Sequence, residues 1–144
     1  MRFVPGFVVV SCLFLAVGCS GNDASGGASP AGPVRVALGL YSGRPDPEWT
    51  LTAEQVAALD EALRALPDST GSPPTGGLGY HGFMIVRPGS TLVAYLGAVA
   101  PPGVGPRAMK ADPTRSIERY LLVTSRAHVT ADEYEAAKGA LAGP

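Results

Sequence analysis

The side chains best suited to chemistry lie together in the segment from Tyr41 to Trp49, which reads Tyr-Ser-Gly-Arg-Pro-Asp-Pro-Glu-Trp and holds the only tryptophan. Its two prolines fix the backbone dihedral φ and stiffen the segment. Trp49 beside Arg44, Asp46 and Glu48 could form an aromatic platform with hydrogen-bonding neighbours, which suits a sugar or a cell-wall fragment. The structural alternative, which we favour for Trp49, places its ring at the edge of the core and pairs Arg44 with Asp46 or Glu48. These four residues are our candidate binding residues.

Asp46 and Glu48 could instead form a hydrolytic carboxylate pair, with His81 as a further candidate. A catalytic pair needs a set separation across a cleft, and the sequence does not establish one. The serines have no nucleophile-elbow context, although convergent catalysis needs no motif. We therefore assign no catalytic residue.

The sequence predicts neither a metal nor a cofactor. His81 and His128 are the only histidines, they lie far apart, and neither has a second ligand at metal-binding spacing. Residues 77–82, Gly-Leu-Gly-Tyr-His-Gly, match the letters of the dinucleotide fingerprint. That fingerprint follows a strand and opens a helix, whereas this copy follows a predicted loop and opens a predicted strand.

A longer pattern links the Arg44 segment to a second run. The segment Ser-Gly-Arg-Pro-x-Pro-x-Trp is followed by Ile117-Glu118-Arg119-Tyr120-Leu121-Leu122, an aliphatic-Glu-x-aromatic-Leu-Leu run. This combination resembles a group of bacterial exported proteins and lipoproteins with no established activity. The likeness covers most of residues 38–122 and implies a shared fold, but it brings no function with it.

The first 18 residues have the organisation of an export signal. Arg2 precedes an uncharged apolar run from Phe7 to Val17, which is too short to span a bilayer. Residues 15–19, Leu-Ala-Val-Gly-Cys, resemble the lipobox of bacterial lipoproteins, and the resemblance implies cleavage before Cys19 and acylation, palmitate included, of that cysteine. An ordinary secreted protein is the alternative. Ser20 after the cysteine predicts the outer membrane if the host is Gram-negative.

Residues 19–33 are predicted to form a lipidated, disordered tether, because Ser20 to Pro33 contains only small and polar residues and proline. Cleavage removes Arg2 and no acidic residue, which leaves 10 basic against 12 acidic side chains. No basic face for nucleic acid is indicated. Cys12 leaves with the signal and Cys19 carries lipid, so we expect no disulfide in the single globular domain predicted over residues 34–144.

Hydrophobic periodicity and capping signals predict the elements of this domain. Residues 34–41 alternate as a strand. Capping boxes at Thr52/Gln55 and Thr130/Glu133 each begin a helix, and Pro67 ends the first. Each of these two helices has a predicted apolar stripe, which includes Leu59 in the first and Leu141 in the second. Residues 80–87 and 91–99 are predicted to form a hairpin, residues 68–77 and 101–111 loops, and residues 114–124 a helix capped by Asp112 or, almost equally, a strand.

The predicted fold is α+β, a small antiparallel sheet with two or three helices on one face. The predicted function is that of an exported, lipid-anchored envelope protein, a non-enzymatic binding or accessory module. Its expected partners are the membrane, through the lipid on Cys19, and an envelope protein or cell-wall polymer. A small envelope hydrolase using Asp46 or Glu48 is the alternative.

Overall fold

The computed structural model describes residues 32–76 and 79–143. The predicted signal, the lipidation site Cys19 and nearly all of the predicted tether lie outside these residues. The described elements are β1 Arg35–Gly39, β2 Glu48–Thr50, α1 Ala53–Ala65, β3 Asp68–Gly71, β4 Gly82–Arg87, β5 Ser90–Tyr95, β6 Ala98–Ala100, β7 Arg107–Ala111, α2 Ser116–Ser125 and α3 Ala131–Ala142.

The described strands form one antiparallel sheet in the order β2-β1-β4-β5-β6-β7-β3. Alternate residues of the central strands point to one face, where Val36, Phe83 and Ala94 are buried. Buried residues of all three helices, among them Leu59 of α1 and Leu121 of α2, join the same core. The α+β prediction is confirmed, including the helices on one face.

The two capping boxes begin α1 and α3 as predicted. In each, the threonine hydroxyl accepts from the backbone amide of the third helical residue, and the side chain of that residue accepts from the threonine amide. The reciprocal bonds satisfy backbone donors that a helix start otherwise leaves free. Leu59 of α1 and Leu141 of α3 are buried, so the predicted apolar stripes do face the core.

Residues 116–125 form a helix, which settles the choice between helix and strand. Asp112 accepts from the amides of Ser116 at 2.9 Å and Ile117 at 2.8 Å, so it does satisfy the helix start. It does this across an intervening turn in which Arg115 has φ of 54°. The helix therefore begins at Ser116, two residues after the predicted start at 114, because the carboxylate reaches over the turn.

Four of the described strands, β2, β3, β6 and β7, were not predicted as separate strands. The run 91–99 is two strands, because Leu96 and Gly97 both have positive φ and form a tight turn between β5 and β6. The predicted loops 68–77 and 101–111 contain β3 and β7, which pair with each other at the sheet edge. The link before α1 contains β2, so Trp49 lies on a strand.

None of the helices within residues 32–76 and 79–143 combines the length and the apolar character that crossing a bilayer requires.

Candidate functional site

The loop that carries Arg44 joins β1 to β2 and is held at both ends. The amide of Leu38 donates to the carbonyl of Pro47 at 3.0 Å, and the amide of Leu40 donates to Oδ1 of Asp46 at 3.3 Å. Gly43 turns the chain with φ of 95°, a backbone conformation that residues other than glycine rarely adopt. The loop is therefore fixed by backbone contacts in addition to its prolines.

Arg44 is held by two contacts of different kinds. Its guanidinium carbon lies 3.3 Å from the centre of the Tyr41 ring, a cation–π contact. Its Nη2 donates to Oε1 of Glu133 at 3.1 Å, and the Arg44 side chain remains 55% exposed. This is its single hydrogen bond to the described part of the chain. A guanidinium has five N–H donors, so most of its donor capacity remains for a ligand.

Glu133 is in turn fixed by the capping box of α3. Its carboxylate accepts from the backbone amide of Thr130 at 2.8 Å and from the Thr130 hydroxyl at 3.0 Å. These bonds, together with the Arg44 charge, hold the pKa of Glu133 below its ordinary value of 4.5. The ion pair to Arg44 is therefore intact at neutral pH.

A polar groove of about 550 Å³ lies between this loop and the first turn of α3. We call it the Arg44 groove. Among the described residues its lining carries one guanidinium and three carboxylates, and these residues are Tyr41, Arg44, Pro45, Asp46, Pro47, Thr130, Asp132 and Glu133. A surface with both signs of charge can bind a partner that presents an amine and a carboxylate close together.

The structure separates the four candidate binding residues. Arg44 and Asp46 line the Arg44 groove. Glu48 lies on the sheet face away from the helices and pairs with Arg35 at 3.7 Å. The expected pairing of Arg44 with Asp46 or Glu48 was wrong, because Glu133, distant in sequence, takes the guanidinium instead.

Trp49 belongs to the core, as the favoured structural interpretation predicted. The residue is 5% exposed, and its Nε1 donates to the Thr124 hydroxyl of α2 at 3.1 Å. Its ring meets Phe83 edge to face, with centroids 6.3 Å apart. A ring enclosed in this way cannot serve as a stacking platform for a ligand, so the alternative interpretation of Trp49 as a sugar platform was wrong.

The hydrolase alternative depends on Asp46 and Glu48. Both residues line a second pocket of about 200 Å³ beside Arg35. His81 lines a different pocket, on the outer surface of β5 and β6. The fingerprint-like run 77–82 ends at Gly82, the first residue of strand β4, as predicted. The described residues contain no group of three His, Cys, Asp or Glu side chains placed to hold a metal ion.

A buried polar cluster around Glu118 was missed by the sequence analysis. Glu118 is 1% exposed and accepts from the Tyr80 hydroxyl at 2.7 Å and from the Gly97 amide at 3.1 Å. Burial, followed by the hydrogen bond to Glu118, raises the pKa of Tyr80. The one sequence signal that pointed to this cluster was the aliphatic-Glu-x-aromatic-Leu-Leu run, which contains Glu118.

Comparison with protein-family models, with curated proteins and with solved structures finds no match to this chain. The resemblance to the exported group stays a prediction.

Proposed function

We propose that this chain is a membrane-anchored envelope protein that binds a partner without chemical turnover, through the Arg44 groove. The observation that carries the proposal is the state of Arg44. Its guanidinium is stacked on Tyr41 and bonded to Glu133, yet its side chain is more than half exposed in the groove. Positioned arginines of this kind recur among residues that dominate binding energy at protein interfaces.

The neighbouring carboxylates support binding over catalysis. Asp46 accepts from the Leu40 amide, and Glu48 pairs with Arg35 on the other face of the sheet. Each carboxylate thus has a structural partner within the described residues. Neither contact is the nucleophile–base or acid–base pair that hydrolysis needs.

The charges of the groove favour a partner that carries both an amine and a carboxylate. Arg44 can hold the carboxylate, since its planar donors match two oxygens, and Asp46 or Asp132 can accept from the amine. Peptide stems of a cell-wall polymer present both groups, and so do the surfaces of envelope proteins. The predicted lipid on Cys19 and a short tether would keep the groove near such partners.

The proposal is tested by co-sedimentation of the mature protein with purified cell-wall sacculi. We expect Arg44→Ala to weaken binding about tenfold or more, since it removes the central cation of the groove. Arg64→Ala is the matched control, because Arg64 is an exposed arginine of α1 outside the groove. Equal binding by the wild type and Arg44→Ala would contradict a role for the groove. If the wild-type protein does not bind sacculi, the cell-wall polymer is excluded as the partner, and an envelope protein is the remaining partner class.

A further inference from the structure

A third pocket lies on the sheet face opposite the helices and shares no lining residue with the Arg44 groove. Its floor consists of outward-facing residues of β5 and β6, namely Val93, Tyr95, Ala98 and Ala100. The two alanines leave a hollow between larger neighbours. They are only 7% and 2% exposed, although none of the described helices covers this face.

The walls of this pocket are two double-proline segments, Pro73-Pro74 after β3 and Pro101-Pro102 after β6. Proline fixes φ, so both walls are stiff. The second wall is also organised by Arg107, whose guanidinium donates to the carbonyls of Pro101 at 3.1 Å and Pro102 at 2.8 Å. The same side chain bonds the carbonyls of Val104 and Gly105. The pocket is therefore built before any ligand arrives.

One edge of the pocket is polar. His81 and Tyr95 both approach Gly76, where an added Cβ would lie 2.8 Å from His81 Nδ1 and 3.5 Å from the Tyr95 hydroxyl. Within the described residues neither the imidazole nor that hydroxyl has a hydrogen-bond partner. The Tyr95 ring packs against Tyr80 at 5.8 Å, and Tyr80 is itself anchored on Glu118. The buried cluster thus helps to position the polar edge.

Size and charge restrict the ligand. The cavity measures about 180 Å³, and a cavity of roughly 150 Å³ can hold a benzene ring. No Asp, Glu, Lys or Arg side chain of the described residues lines it. Proline, alanine and valine offer apolar contact to a ring, while His81 and Tyr95 offer a hydrogen bond at one end.

We propose that this pocket binds a phenolic ring, with the ring between the double-proline walls and its hydroxyl at His81 and Tyr95. A phenol is neutral at physiological pH and joins an apolar ring to one hydrogen-bonding group, as this lining requires. The ring can belong to a free phenolic molecule or to a tyrosyl side chain of a partner.

The probe is p-cresol, titrated into isotope-labelled protein while backbone amide shifts are recorded. We expect saturable shifts at the β5 and β6 residues of the pocket, with a dissociation constant on the order of 1 mM for so small a ligand. Toluene, which lacks the hydroxyl, should bind about fivefold more weakly, the loss expected for one hydrogen bond.

The double variant Tyr95→Phe/His81→Leu, which removes both hydrogen-bonding groups of the polar edge, should bring p-cresol affinity close to that of toluene. Tyr41→Phe is the control, since Tyr41 lines the Arg44 groove. Equal affinities of the wild type for p-cresol and toluene, or no saturable shifts, would overturn the proposal. N-acetyltyrosinamide separates the two sources. If N-acetyltyrosinamide binds as tightly as p-cresol, the result supports a partner's tyrosyl side chain as the ligand. If p-cresol binds and N-acetyltyrosinamide does not, the result supports a free phenolic molecule.

Discussion

Replacing Glu118 with glutamine tests whether the buried cluster stabilises the fold. The carboxylate is 1% exposed and accepts two hydrogen bonds, one on each oxygen. Glutamine keeps the shape but has one acceptor oxygen and one NH₂ group. If the oxygen keeps the Gly97 amide, the NH₂ group faces the Tyr80 hydroxyl, which can accept from it only by turning its own hydrogen away, so the phenol proton loses its acceptor. If the oxygen keeps the Tyr80 hydroxyl, the Gly97 amide faces the NH₂ group and loses its acceptor.

The expected loss follows from the two bonds. An unsatisfied buried donor costs about 1–3 kcal/mol, and the remaining bond loses the extra strength of a charged acceptor, about 1 kcal/mol. Relief from burying a charge offsets part of this loss. We expect a net loss of about 2 kcal/mol in the free energy of unfolding, or roughly 10 °C in Tm for a domain of this size.

Urea denaturation followed by Trp49 fluorescence measures this loss, because Trp49 is the only tryptophan and is buried. Glu61→Gln is the control, since Glu61 is exposed on α1. The double variant Glu118→Gln/Tyr80→Phe lacks one of the two donors that compete for the glutamine oxygen. It should therefore lose about 1 kcal/mol less stability than the sum of the two single variants. A change below about 0.5 kcal/mol for Glu118→Gln, or strictly additive losses, would refute the stabilising role of the cluster.

Three further predictions concern single groups. Because burial and Glu118 raise the pKa of Tyr80, its phenol should stay protonated beyond its ordinary pKa of 10.0, and the stability it adds should be lost as pH rises above that value. An absorbance titration at 295 nm should lose its last step in Tyr80→Phe, and an unchanged titration would contradict this. Because the pKa of Glu133 is lowered, the stability advantage of the wild type over Glu133→Gln should be full above about pH 5 and should disappear as pH falls through the folded pKa, as measured by urea denaturation. An advantage that persists at pH 2 would show that charge is not its source. Finally, Cys19→Ser should release the protein from membranes, and unchanged membrane fractionation would refute the predicted lipid anchor.

Local signals in the sequence predicted local structure. The capping boxes at Thr52 and Thr130 involve residues three positions apart, so their chemistry can be recognised without tertiary information. The alternation of β1 and the apolar stripe of α1 are similarly local. These signals were sufficient for the fold class, because amphipathic strands and helices must share one core.

The missed features depend on contacts between distant residues. The β7 sequence Arg-Ala-Met-Lys-Ala has no clean alternation, and it becomes a strand by pairing with β3. Arg44 could be singled out by type, but its bond to Glu133 spans 89 positions. Glu118 lies on the buried side of α2, where periodicity predicts an apolar residue, and only the fold brings Tyr80 and Gly97 to it.

Site-specific photocrosslinking in the native host tests whether the Arg44 groove binds a partner. A photoreactive residue placed at Asp132, at the rim of the Arg44 groove, should form an adduct with the partner, and Arg44→Ala in the same chain should abolish that adduct. Val123 provides the control position, since it is 65% exposed on α2 and does not line the groove. We expect an adduct from position 132 that depends on Arg44, and none from position 123. Equal adducts from both positions, or an adduct unaffected by Arg44→Ala, would contradict binding through the groove.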